Sequence, residues 1–300
     1  MTMHGWLVID KAKGPGSTDI VTSVKRGLRD GGYPKVKVGH GGTLDPLASG
    51  VLPIAFGEAT KLAGRMLDGD KAYEFTIRFG SRTTTLDEEG PVEATSDVRP
   101  TAHAIAQVLP RFTGPIMQVP PAYSALKIDG ARAYDLARAG EEVSLPERAV
   151  TIHSLEMVGT MLDAMPRQEV TLEAHVSKGT YIRSLARDIA HALGTVGHVT
   201  HLRRTRAGAF TLAHAISLDK MREAAKARSL EDYLLSLRAG LDDIPALPLT
   251  PDQAGALRQG RILDGIAADD GPAFAMLGLT PVALVEVQDH KARVVRGFNL

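Results

Sequence analysis

The chain has 300 residues, 44% of them apolar, with 35 basic and 35 acidic side chains and no cysteine. That length suggests one large domain plus a smaller one, or two of moderate size, and the apolar share is ample for a full core. The absence of cysteine excludes disulfides and thiolate nucleophiles or metal ligands, which fits a reducing cytoplasm. No apolar run reaches the roughly 18 residues of a membrane-spanning helix, and no basic region followed by an apolar stretch opens the chain. A cytoplasmic protein, neither membrane-spanning nor secreted, is expected.

The neutral total conceals an uneven distribution. Between His175 and Phe210, Lys178, Arg183, Arg187, Arg203, Arg204 and Arg206 stand against Asp188 alone, with His175, His191, His198 and His201 in the same window. Such a segment either presents a phosphate-binding face or is a solvated helix and loop with surplus arginines.

Along the chain, Trp6 to Asp10 reads as a strand, followed by a Lys11–Gly16 turn. Ser17 or Thr18 is then placed to cap a helix carrying Ile20, Val24 and Leu28. Three glycines at 39, 41 and 42 precede Asp45-Pro46, and the apolar run from Val51 to Phe56 reads as a buried strand. By residue type alone, Asp45 is either part of a tight Gly/Asp/Pro turn or a carboxylate presented for nucleophilic or general-base chemistry.

Glu58 to Leu67 is expected to be a short helix. Lys71 to Phe79 alternates, with Tyr73, Phe75, Ile77 and Phe79 on one face. Thr101 is expected to cap a helix running to Leu109. Residues 113 to 147 form a long Pro- and Gly-rich excursion with a short Arg132-to-Arg138 helix, a length that compact domains keep mostly for functional loops. Strands are expected at Val150–Val158 and Glu169–Val176. A helix from Thr180 follows, its stripe of Ile182, Leu185, Ile189 and Leu193 leaving Arg183 and Arg187 together on another face. Pro245 to Pro251 is the expected linker, and Val282–Val287 with Ala292–Phe298 the expected hairpin. The pattern predicts an α+β fold: a mixed, largely antiparallel central sheet flanked by helices.

Five segments occur together: LVIDK; GHGGTLDPLASGVLPIAFGEATK; DKAYEFTIRFGSRTTTLDEEG; VPPAYSALKIDGARAYDLARAG; and SKGTYIRSLARDIAHALG with HVTHLRRTRAG. In this order they resemble the TruB family of tRNA pseudouridine synthases over about the first 240 residues. The resemblance implies a pseudouridine synthase-like catalytic domain over residues 1–244, with an RNA-gripping insertion at about 113–147. A small C-terminal PUA-like β domain over 249–300 completes the expected organisation.

The implied reaction is isomerisation of the T-loop uridine (position 55) of tRNA, in which the base is detached, rotated and rejoined through carbon. It is redox-neutral, so no metal and no organic cofactor are expected. His198 and His201 alone do not make a metal site without a third ligand. The expected partner is the tRNA T arm, with no obligatory protein partner and a further capacity to act as a tRNA-folding chaperone.

By resemblance, Asp45 matches the catalytic aspartate, Arg183 its arginine partner and Tyr73 the tyrosine stacked on the target base. Tyr181 and Leu202 match the lining of the uracil pocket, and His40 the side chain that fills the space left by the extruded nucleotide. Lys11 matches a lysine near the site, although Ala12 stands where relatives carry proline. Tyr123, Lys127, Arg132 and Arg138 offer stacking and phosphate contacts within the insertion.

Overall fold

The computed structural model describes residues 3–124, 126–128, 130–141, 143–159, 165–241 and 244–300. Among the described residues, a ten-stranded and a five-stranded sheet organise the chain. Along its main path the larger sheet runs Ala215–Ser217, Gly5–Lys11, Ser49–Phe56, Gly197–Ala207, Lys71–Phe79, Glu169–Val176, Arg148–Met157, Gly114–Gln118. Two of its pairings are parallel, Gly5–Lys11 with Ala215–Ser217 and Ser49–Phe56 with Gly197–Ala207; the other pairings are antiparallel. The expected α+β class with a largely antiparallel sheet is the one observed.

The alternating strand behaves as its period demands. Phe75, Ile77 and Phe79 are buried and Arg78 is exposed. The helix Ser17–Asp30 lays Ile20, Val24 and Leu28 into the same core that receives Ile182, Leu185 and Ile189 of the helix Ile182–Ala192. Gly50 marks the tightest approach between strands. Its φ is +99°, and a Cβ there would lie 2.2 Å from the carbonyl oxygen of Arg204.

Four local expectations change. Gly16, not Ser17 or Thr18, occupies the cap of the first helix, and its N–H donates to Asp19. Glu58–Leu67 is no continuous helix: a 3-10 turn over Gly57–Lys61 gives way to the four-residue helix Arg65–Asp68. The expected linker contains an edge strand, Ala246–Pro248, parallel to Gly271–Leu277, a position that tolerates proline. Gly271–Leu277 itself was not expected, because GPAFAML does not alternate.

The expected hairpin forms from Thr280–Gln288 and Lys291–Gly297. Asp289 and His290 turn it with φ of 50° and 59°, the doubly left-handed geometry suited to a two-residue loop. The five-stranded sheet shares a core with the large one. Phe274, Met276, Leu284 and Phe298 pack in one cluster with Trp6, Val8 and Phe210. The 3-10 turn adds polar contacts, since Lys61 donates to the Gly297 carbonyl and the Asn299 N–H to Glu58.

Candidate active site

The segment between Val38–His40 and Ser49–Phe56 carries Asp45, and neighbouring elements fix its backbone. Gly41 N–H donates to the Pro53 carbonyl and Gly14 N–H to that of Pro46, both at 2.8 Å. The buried Ser17 hydroxyl accepts from Leu44 N–H at 2.8 Å and donates to the Leu44 carbonyl at 3.2 Å. Lys11 Nζ donates to the carbonyls of Ala12 (3.0 Å) and Pro46 (3.4 Å). From the other side Arg204 Nη1 donates to the Thr43 carbonyl at 3.1 Å. Glycine freedom lets the chain turn here, and these bonds then hold it in one geometry.

Above this loop, Arg183 is almost wholly buried in the first turn of the helix Ile182–Ala192. Its Nη2 pairs with Asp45 Oδ2 at 2.8 Å and donates to the Tyr123 carbonyl at 3.0 Å. Its Nη1 lies 3.3 Å from Asp87 Oδ2 and donates to the Thr85 carbonyl at 2.8 Å. The Asp45 side chain keeps 40% of its exposure whereas that of Asp87 keeps 2%. One carboxylate therefore braces the arginine from within, while the other is left open to an incoming molecule.

Asp87 is the site residue that sequence reasoning missed. It follows Leu86, whose φ is 63°. Its carboxylate accepts from the Thr85 hydroxyl (2.5 Å) and Glu89 N–H (3.0 Å). The available signal was the TTTLDEEG turn, where threonines precede an aspartate able to close an Asx-type turn.

Charge is concentrated around this network. Burial lowers the Lys11 ammonium to about 8, against an opposing pull from Asp45 and Glu89. Burial, then the neighbouring Asp87 and Asp45, pushes the Glu89 carboxyl up. His40 is half-buried at the end of its strand, its Nδ1 without a partner among the described residues. Its pKa is lowered, by burial first and then by Arg204.

The other expected site residues lie on the large sheet, at the start of the arginine-bearing helix and in the insertion. Tyr73 pairs in register with Arg204, whose guanidinium holds the aspartate loop, and Leu202 pairs with Phe75. Tyr181 caps the arginine-bearing helix. Its N–H and carbonyl are both bonded by the buried Gln118 amide, and its ring lies 4.7 Å from the Arg148 guanidinium carbon. Tyr123 contributes its backbone carbonyl. Lys127 lies in a two-stranded ribbon with Arg132, and its side chain is outside the described residues. The guanidiniums of Arg132 and Arg138 both stack on the Tyr134 ring, at 5.7 and 5.4 Å.

The basic stretch from His175 to Phe210 is no single exposed face. Arg183 and Arg204 are buried, Arg203 pairs with Asp10, and Arg187 pairs with Asp188. His198 bonds the Ser81 carbonyl and His201 approaches Glu74. Among the described residues, no group of three or more suitable side chains is placed to hold a metal ion.

The site thus pairs a half-exposed carboxylate with a buried arginine on segments joined to a largely antiparallel sheet. Residues 31–182 match the model of the TruB family pseudouridylate synthase N-terminal domain, and residues 183–242 that of the tRNA pseudouridylate synthase B C-terminal domain. The tRNA pseudouridine synthase B of Novosphingobium aromaticivorans is 60% identical, over 99% of this chain and 98% of that protein. That of Zymomonas mobilis is 58% identical, over 99% and 96%.

Among solved structures, a chain from a Cbf5–Nop10–Gar1 complex superposes with a TM-score of 0.74 at 26% identity, covering 99% of this chain and 84% of its own. An H/ACA ribonucleoprotein bound to a substrate RNA containing 2'-deoxyuridine gives the same TM-score at 23% identity, over 99% and 86%, a likeness of fold. The fold and the matched family thus define a pseudouridylate synthase, an isomerase. The chain belongs to the TruB family of tRNA pseudouridine synthases.

Proposed function

We propose that this enzyme isomerises the T-loop uridine at position 55 of tRNA to pseudouridine, with Asp45 as its catalytic carboxylate. In that reaction the bond from the sugar to the ring nitrogen breaks and the base turns. A bond to a ring carbon then forms, while that carbon loses a proton and the nitrogen gains one. No electrons and no outside group enter, so the reading requires neither metal nor organic cofactor.

The observation that carries this reading is the ion pair of a half-exposed Asp45 with a buried Arg183. A carboxylate that must act on a carbon and leave again needs a fixed positive partner and an open face. Tyr73 is assigned to stacking on the base, Tyr181 and Leu202 to its pocket, and His40 to the gap left in the loop. Lys11 supports the aspartate loop from beneath, while Tyr123 and Lys127 belong to the RNA-gripping insertion at 113–147. Residues 1–244 are the catalytic unit, and residues 249–300 a PUA-like accessory to it. The enzyme is assigned to the cytoplasm, in keeping with a chain without cysteine. Among the described residues no helix is long and apolar enough to cross a membrane.

The test uses purified protein alone with an unmodified tRNA transcript and maps pseudouridine along it. Product confined to the T loop, without added protein or metal, is the expected result. Product at another position overturns the substrate assignment, and dependence on a second protein overturns the claim of autonomy.

A further inference from the structure

The cations of the most basic segment are largely engaged: Arg183 with Asp45, Arg187 with Asp188, Arg203 with Asp10, and Lys178 with Asp68. A different group is not. Beside the helix Ser17–Asp30 lies a groove of about 900 Å³ lined by Lys25, Arg29, Lys35 and Lys37. These four side chains are exposed, and Leu28 and Val38 form a buried apolar floor beneath them. The ammonium groups of Lys25, Lys35 and Lys37 make no hydrogen bond or ion pair with other described residues. Arg29 contacts only its neighbour Asp30, at 3.3 Å. Tyr33, which lines the groove, donates its hydroxyl to the carboxylate of Glu231 at 3.0 Å.

The groove is built. Tyr33 also accepts from Leu230 N–H, and its own N–H donates to the Leu28 carbonyl. A Cβ on Gly31 would lie 2.2 Å from the Ala225 carbonyl oxygen, so this wall packs directly on the helix Leu218–Ala227. The Lys37 carbonyl accepts from Gly57 N–H at 2.8 Å. Lys35 and Lys37 are therefore displayed along a loop that is fixed at both ends, beside Lys25 and Arg29 on the helix.

The groove also leads to the site. Lys37 is followed by the strand Val38–His40, so at about 3.3 Å per residue it stands about 10 Å from His40. On a nucleic-acid strand, that is within a few phosphates of the extruded nucleotide. We propose that this groove takes the phosphodiester backbone of the substrate RNA on one flank of the extruded nucleotide, as a sequence-independent electrostatic contact. The proposal rests on the RNA-modifying function and deepens it. It assigns the grip on the flanking strand to lysines lying outside both the basic segment and the insertion.

The test measures binding of an unmodified tRNA transcript by fluorescence anisotropy across a series of KCl concentrations. Three proteins are compared: wild type, Lys25→Gln/Lys35→Gln/Lys37→Gln, and the charge-matched control Arg78→Gln/Arg82→Gln/Arg111→Gln. The groove variant is expected to bind about tenfold more weakly near 0.1 M salt. Its plot of log affinity against log salt is expected to be shallower by about two, from three lost phosphate contacts. The control is expected to follow wild type, and thermal midpoints to agree among all three. A groove variant with wild-type affinity and slope overturns the proposal, as does a control that loses as much. A wild-type protein that binds RNA without making pseudouridine defeats the functional reading alone, because the groove is read by binding.

Discussion

Asp45 and Asp87 sit on one guanidinium yet face different surroundings, so their substitutions separate chemistry from framework. Asp45→Asn removes the open carboxylate while keeping its size. It is expected to abolish conversion and leave tRNA affinity within about tenfold, because phosphate contacts supply most of the binding. Comparing single-turnover rates with filter-binding constants checks this, and a parallel collapse of affinity shows Asp45 to be structural. Asp87→Asn instead leaves a buried Arg183 without its inner carboxylate. Breaking a buried ion pair from one side costs about 3–5 kcal/mol, so the urea midpoint is expected to fall clearly. Turnover is expected to fall with it, more than KM rises, because Arg183 loses its anchor. The sequence showed Asp45 through its glycine-rich setting. It did not show Asp87, whose role depends on a turn being folded under a helix nearly a hundred positions away in the chain.

At the scale of elements, the site is a loop stapled to a helix and a strand. Ser17→Ala leaves Leu44 N–H unpaired in a buried setting, at a cost of about 1–3 kcal/mol. Turnover is expected to drop while RNA affinity is retained, and urea unfolding with steady-state kinetics reads both. Lys11, in the strand Gly5–Lys11, gives a pH signature. Its ammonium is lowered in the folded chain to about 8, from an ordinary value of 10.5. Between these values the unfolded chain binds more protons, so Lys11 makes the folded state more stable as pH rises from about 8 towards 10.5. Lys71, also lowered to about 8 by burial, acts in the same sense. Lys11→Met is expected to flatten this rise in part, as measured by urea midpoints at several pH values. The alternating strand, both long helices and the C-terminal hairpin were legible from apolar spacing. The Glu58–Leu67 segment was not, because Gly64 within it breaks a run whose apolar spacing alone looks helical.

At the scale of the whole molecule, the C-terminal sheet is expected to stabilise the catalytic body. Phe274 packs in one cluster with Trp6 and Phe210 of the large sheet. Phe274→Ala is expected to cost about 3–5 kcal/mol and to lower one shared thermal transition. Two separate transitions, with the catalytic body unaffected, defeat that expectation. Removing residues 246–300 is expected to give a protein that aggregates, since it uncovers the apolar cluster around Trp6.

Local pattern by itself determined the alternating strand and several of its neighbours, the helices Ser17–Asp30 and Ile182–Ala192, the α+β class and, through ordered motifs, the family. It did so because apolar spacing and glycine placement are properties of neighbouring residues. Tertiary structure alone decided which cations are consumed inside and which stay free, since pairing is settled by distance in space. Arg183 and Arg204 sit in the most basic stretch and are buried, whereas Lys25, Lys35 and Lys37 attract no notice in the sequence and stand unpaired in a groove. Composition counts charges, and folding determines which of them a passing polyanion meets.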